Sequence, residues 1–262
     1  MKKLRIIKIG GNVVDDQYKL GKFLKDFASL EGLKILVHGG GKIASTLSKS
    51  MGIEPKMTNG RRITNADTLR IVTMVYAGLI NKNITASLQV AGCNALGLCG
   101  ADGGLIRSKK RSPHPVDYGF VGDPIDGLFG ADTARTLLEG ELVPVVAPIT
   151  YDETGQLLNT NADTVAQAVA VGLSPYYEVE LIYCFEKRGV LRDVNDDNSV
   201  ISQIDPAEYE KLKYSGIVAD GMLPKLDNAF KAIDSGVCKV VICSAEELTT
   251  PGYGGTTLLK SL

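Results

Sequence analysis

Histidine is scarce in this chain of 262 residues: His38 and His114 are the only two. That argues against a histidine-based metal centre. Cysteine offers no framework either. Cys93, Cys99, Cys184, Cys238 and Cys243 are odd in number and lack any C-x-x-C spacing, so they read as small buried hydrophobes in a reducing cytoplasm. Neither sign of charge is in excess, since 29 basic residues face 30 acidic ones and the net charge is -1. Such a balance offers no polyanion-binding surface and speaks against a nucleic acid partner. No apolar run approaches the ~18–20 residues that span a bilayer, and the charged-then-apolar form of a signal peptide is missing. The expected setting is cytoplasmic, away from membranes. Linkers rich in Pro, Ser or Gly, internal repeats and low-complexity tracts are all lacking. What is present is a hydrophobic content of 44%, enough for a sizeable core in one large domain or two lobes.

Apolar strand-like runs alternate with segments of helical period. LRIIKI precedes a helical pattern over residues 15–30, and KILVHGGG precedes another over 42–51. A long amphipathic stretch covers 65–90, and further helices are expected over 162–172 and 223–236. NALGLC, LVPVVAPI, VELIYCF and CKVVIC are the remaining strand candidates. This alternation predicts an α/β fold with a mainly parallel central sheet and helices on both faces. Residues 104–123 and 150–159 break the pattern and predict β-hairpins, the second turning at Asp152-Glu153-Thr154-Gly155. A helix gives out at GLSP, residues 172–175, which is the expected lobe boundary.

Glycine recurs where strands stop: GGN at Gly10, HGGG after His38 and GADGG at Gly100. Ligands of open α/β sheets bind beyond the carboxyl ends of the strands. Glycines there let backbone N–H groups approach an anion, aided by the following helix. Two such loops could surround phosphate groups, or could simply be tight turns. HGGGK is not a P-loop, because Leu36 stands where the first glycine belongs and Ile43 where a Ser or Thr should follow the lysine.

Four further patterns carry chemistry, each beside a plainer reading. Lys8 lies just before the end of its strand, where its ammonium could meet phosphoryl charge or could snorkel from an edge strand. Asn159, Asn161 and Asp163 are spaced by two and share a side if extended; Asn161 or Asp163 could instead be only a helix cap. Lys225 falls in the first turn of a helix opened around Pro224. A cation is misplaced there unless the site expects an anion or the face is solvated. Arg61 and Arg62 precede a helix and suit bidentate carboxylate recognition, or a solvated turn.

Together IIKIGGN, LVHGGG, GRRIT, NTNAD and DGMLPK resemble the amino acid kinase family across essentially the whole chain, most closely its members that act on acyl-glutamates. The resemblance implies a three-layer αβα sandwich of two lobes. Residues 1–173 would bind acyl-glutamate and dimerise through the long helix; residues 174–262 would bind ATP. It implies ATP-dependent phosphorylation of the side-chain carboxylate of N-acetyl-L-glutamate, a step of arginine biosynthesis. Lys8 and Lys225 would flank the transferring phosphoryl group, and Asp163 would hold both lysines by ion pairing. Gly11 and Gly40 would donate backbone N–H bonds to phosphoryl oxygens. Gly40, Gly41, Arg62 and Asn159 would bind the substrate, and Gly10, Gly11, Glu186, Gly189, Asp220 and Met222 the nucleotide. Mg²⁺ would travel on ATP, without a protein metal cage. No general base is needed, because a carboxylate is already ionised at pH 7.

The family's arginine-regulated members carry an extra N-terminal helix. Here the first strand begins by Leu4, so arginine inhibition is not expected. Phe185-Glu186 departs from the Thr/Ser-Asp that members usually carry at that strand end. Lys42 and Arg61 add positive charge near the expected acyl pocket, which would suit N-succinyl-L-glutamate, although Lys42 reads more simply as a solvated helix start. Carbamate, uridylate, aspartate and glutamate 5-kinases share the fold. A non-catalytic regulator of that fold would be expected to have lost Lys8, Asp163 or Lys225.

Overall fold

The computed structural model describes residues 1–58, 60–218 and 222–260, apart from the Pro224 side chain. Its strands are β1 (Lys3–Ile9), β2 (Leu33–His38), β3 (Met57–Thr58), β4 (Arg61–Arg62), β5 (Ala95–Cys99), β6 (Ile106–Lys110), β7 (Gly122–Phe129), β8 (Val143–Ala147), β9 (Ile149–Tyr151), β10 (Leu157–Asn159), β11 (Glu178–Phe185), β12 (Gln203–Ile204), β13 (Lys239–Ser244) and β14 (Thr256–Leu258). The α-helices are α1 (Gly11–Val14), α2 (Gln17–Ser29), α3 (Gly41–Ser50), α4 (Ala66–Thr73), α5 (Asn81–Val90), α6 (Ala131–Glu139), α7 (Ala162–Leu173), α8 (Pro206–Tyr214) and α9 (Leu223–Asp234).

Eight strands form the central sheet in the order β12-β14-β13-β11-β1-β2-β8-β5. The six strands from β13 to β5 run parallel, and β14 opposes β13. Parallel strands are covered on both faces and need apolar residues on both. β1 meets that demand by period two: Leu4 and Ile6 enter the core on one face, Ile7 and Ile9 the core on the other. The first core is closed by α7 and α9, through residues such as Val165, Val169, Leu226 and Ile233. The second is closed by α2 and the long helix, through Phe23, Phe27, Val72 and Ile84.

Period two also decides where Lys8 goes. It shares the face of Leu4 and Ile6, under the starts of α7 and α9. β1 is flanked by β11 and β2 along its length, so the edge-strand reading of Lys8 is wrong. The stretch expected over 65–90 is one continuous helix, but its middle, Met74–Ile80, is wound as π-helix between α4 and α5. The hairpin expected over 150–159 forms as β9–β10, whereas the one expected over 104–123 runs on to Phe129, because β7 begins only at Gly122 and pairs back to Ile106; the two hairpins join in a four-stranded second sheet. This sheet carries Asn159 at the end of β10 toward the carboxyl ends of the main sheet. The cysteines do not behave alike: Cys93, Cys184 and Cys243 are buried, but Cys99 is half-buried and Cys238 is exposed. Cys238 follows the turn after α9, outside the buried run of β13, which is why the uniform buried reading fails.

Lys34 shows how the scaffold is tightened. Its buried ammonium donates to the carbonyls of Phe27, Ala28 and Leu30 at the end of α2. Carbonyls of a last helical turn are short of donors, although that of Phe27 also accepts from the Leu30 N–H at 3.3 Å, and a cation there matches the helix dipole.

Candidate active site

β1 ends at Ile9, and Gly10 and Gly11 turn the chain into α1. β2 ends at His38, and the Gly39 N–H donates to the Ile9 carbonyl at 3.1 Å, tying the two glycine loops together. Gly40 takes φ of +145°, and a Cβ there would lie 2.1 Å from Ile80 Cδ1. Only glycine admits that approach. Gly41 then opens α3, whose free N–H groups face the loop.

The loop rests on a buried histidine. His38 Nδ1 donates to the Gly39 carbonyl at 2.9 Å, while Asn81 Nδ2 donates to His38 Nε2 at 3.2 Å. Asn81 is itself oriented by Lys82, which donates to its Oδ1, and by the Val145 carbonyl, which accepts from its Nδ2. An amide that can only donate at this point fixes the proton on Nδ1. Burial pushes His38 down to about 4, with its bond to Gly39 opposing and the charge of Lys82 adding to the fall.

Arg62, on β4, is 7% exposed. One arm, NH2, donates to the Gly41 carbonyl at 2.8 Å and to Ser45 Oγ at 2.7 Å. The other, NH1, is buried without a partner. An unmet buried guanidinium nitrogen is costly unless a ligand supplies an acceptor. Asn159 donates through Nδ2 to Thr64 Oγ1 at 3.0 Å. Tyr76, on the π-helical turn, closes the same cavity; burial raises its phenol pKa and the Arg62 charge opposes this.

Lys8 Nζ lies 2.7 Å from Asp163 Oδ1 in the first turn of α7. The cap of α7 is Asn161, whose side chain accepts from the N–H groups of Asp163 and Thr164. Asp163 is therefore free of capping duty, and the extended spacing of two ends at Asn161. Lys225 stands in the first turn of α9, its Nζ 4.0 Å from the centroid of the Phe185 ring. Burial lowers its pKa, the Asp163 charge opposes that, and the Lys8 charge adds to it. Among the described residues the close ion pair of Asp163 is with Lys8, and no ion pair within 4.0 Å joins it to Lys225, which feels the Asp163 charge at longer range.

Two cavities meet here. The first is lined by Gly40, Gly41, Arg62, Tyr76 and Asn159, the second by Asp163, Phe185, Glu186, Gly189, Met222 and Lys225; Lys8, Gly10 and Gly11 line both. Every described member of the expected site set thus falls on one side or at the junction. Asp220 lies outside the described residues.

Strand-end glycines, a buried lysine at a junction of two cavities and an arginine with one free arm thus gather at the carboxyl end of a mainly parallel sheet, where such groups can hold an anion. The description "Amino acid kinase family" matches residues 3–244. The chain belongs to this family. Within it, the chain is 56% identical over 249 residues to an acetylglutamate kinase of Cytophaga hutchinsonii, covering 95% of this chain and 94% of that one. It is 52% identical over 260 residues to an acetylglutamate kinase of Bacteroides fragilis, covering 98% and 97%. Its fold matches the solved N-acetylglutamate synthase of Neisseria gonorrhoeae with a TM-score of 0.82 at 20% identity, over 99% of this chain and 60% of that one.

Family motifs pointed to neither Tyr76 nor the ring of Phe185 as a contact. Tyr76 sits inside a helix with no local signal, and its place depends on the π-helical winding. Phe185 was visible only as a departure from the family pattern. Arg61 lines the first cavity, whereas Lys42 lines neither and is exposed, its charge opposing the burial-driven rise of the Asp15 carboxyl pKa. Gly189 has a second constraint: a Cβ there would lie 2.6 Å from Thr256 Oγ1 on β14. Among the described residues no three His, Cys, Asp or Glu side chains cluster as metal ligands.

Proposed function

We propose that this protein is an N-acetyl-L-glutamate 5-kinase of arginine biosynthesis. The observation that carries the reading is the junction at Lys8, with an arginine-bearing cavity on one side and a lysine-bearing cavity on the other. Acetylglutamate kinases that match it over nearly their whole length support the choice of substrate.

Acyl-glutamate occupies the first cavity, its α-carboxylate on the free NH1 of Arg62 and the Asn159 amide. Its side-chain carboxylate then points to Lys8. ATP occupies the second cavity, with adenosine and ribose toward Glu186, Gly189 and Met222. A carboxylate oxygen attacks the γ-phosphorus, the bond from that phosphorus to the β–γ bridging oxygen breaks, and ADP leaves. The backbone N–H groups of Gly11 and Gly40 and the two lysines counter the charge on the moving phosphoryl oxygens. Asp163 holds Lys8 in place. Mg²⁺ arrives on the phosphates of ATP. A homodimer through the long helix belongs to the same reading, since Met74, Leu79 and Val90 expose apolar side chains there. Among the described residues no helix is long and apolar enough to cross a membrane, and the working place is cytoplasmic.

Arg61 on the first cavity favours one second reading, N-succinyl-L-glutamate, whose extra carboxylate needs a cation. ADP release measured across N-acetylglutamate, N-succinylglutamate, glutamate, aspartate, carbamate and UMP decides. A kcat/KM for N-acetylglutamate at least tenfold above all others is expected. A tenfold preference for the succinyl compound moves the assignment to it, and turnover of carbamate or UMP alone discards both.

A further inference from the structure

Two ammonium groups share the phosphoryl-transfer junction with one carboxylate. Asp163 is engaged by Lys8, and Lys225 has a different neighbour. The Phe185 ring centroid lies 4.0 Å from Lys225 Nζ and 5.3 Å from Lys8 Nζ. Both distances are within the range in which an aromatic face attracts a cation. Phe185 is the last residue of β11, and its ring stacks on Tyr183, two residues earlier on the same face, with centroids 6.0 Å apart and planes 14° from parallel. Tyr183 in turn donates its hydroxyl to the Asp163 carbonyl at 3.3 Å. The ring is thus braced from below, and its brace reaches the residue that holds Lys8.

A carboxylate in the place of Phe185 would also attract both lysines. It would accept their N–H donors and cancel the charge that a phosphoryl group needs. A ring face attracts through its quadrupole and takes up no ordinary hydrogen-bond donor. We infer that Phe185 is a positioning residue of the phosphoryl-transfer site, whose ring face holds Lys8 and Lys225 together against their repulsion while leaving their N–H donors to the phosphates. The inference deepens the phosphotransferase reading above and rests on it for the identity of the anion.

Fluorination of the ring tests this, because it drains the negative face while barely changing shape. The full chain is prepared with 4-fluoro-, 3,5-difluoro- and 3,4,5-trifluorophenylalanine at position 185. Two quantities are measured: kcat with N-acetylglutamate and ATP, and ATP affinity by calorimetry without acceptor. A stepwise decline of about five- to tenfold across the series is expected in kcat, in ATP affinity or in both. KM for N-acetylglutamate should stay constant. Phe185→Tyr, which keeps the face, should remain within about twofold of the parent, and Phe185→Leu should fall below the trifluoro form. A flat series in both readouts overturns the inference. A parent enzyme that binds ATP but phosphorylates no acyl-glutamate overturns the substrate reading instead, and the affinity series still decides the role of the ring.

Discussion

The two cavities that meet at Lys8 are organised by opposite means. On the acyl side, Arg62 is anchored by neutral partners, a carbonyl and a hydroxyl, and its loop stands on a neutral histidine. Its charge is undiminished, and its planar guanidinium, fixed through NH2, leaves NH1 without a partner. On the nucleotide side, two ammonium groups share one carboxylate and one aromatic ring. Surplus charge, not a fork, is what that side offers. The difference suits a small substrate that must be recognised on one side and a charge that must be stabilised while it moves on the other.

The largest break in the comparison comes from Lys8→Ala, which removes the group common to both cavities. kcat should fall by about 10²–10³-fold, with KM for N-acetylglutamate changed far less, because the charge matters most in the transition state. Steady-state kinetics with purified enzyme check it; ordinary turnover would remove Lys8 from the mechanism. Lys225→Ala should fall in the same direction.

The neutral footing of the acyl loop is tested by acid. His38 is neutral when folded, with a pKa of about 4, whereas in the unfolded chain it takes up a proton near pH 6.5. Its contribution to stability is full above that pH and is lost as pH falls toward 4. The loss is about 3 kcal/mol from this group. Urea titrations at pH 7 and pH 4.5 should show it, and His38→Gln should flatten that part of the slope. An unchanged slope in the variant means that His38 takes up its proton at the same pH in the folded and unfolded chain.

Arg62→Lys sharpens the contrast between fork and point charge. KM for N-acetylglutamate should rise by about tenfold or more, and KM for ATP should stay within about twofold. Equal losses for both substrates would make Arg62 a structural residue. The smallest effect is expected at Lys42→Ala. An exposed residue that lines neither cavity should leave kcat/KM within about twofold for acetyl and succinyl substrates alike; a changed ratio would bring Lys42 back into the acyl site.

Much of this architecture was legible before any coordinates. Strand and helix alternation follows from period two and period 3.6 in the local sequence, and glycine at strand ends follows from backbone geometry. Hence the position of β1, the hairpin over 150–159 and the helix after NTNAD could be read directly. Corrections arose where one residue had several partners available. Asp163 could serve two lysines by charge, and packing sets the close pair with Lys8 while Lys225 lies against the Phe185 ring. Lys8 could have belonged to an edge strand, but sheet order puts it in the middle.

The sequence by itself determined the elements, the loops that can approach phosphate and the residues that carry charge, because these depend on neighbours within a turn or a strand. Only the tertiary structure decided which charges face each other. Seating Gly40 against Ile80 and Tyr76 on the π-helical turn, leaving one arm of Arg62 free, and setting Phe185 beside two lysines all bring together segments distant in the chain. Such contacts depend on how helices and strands pack, and no local period records that.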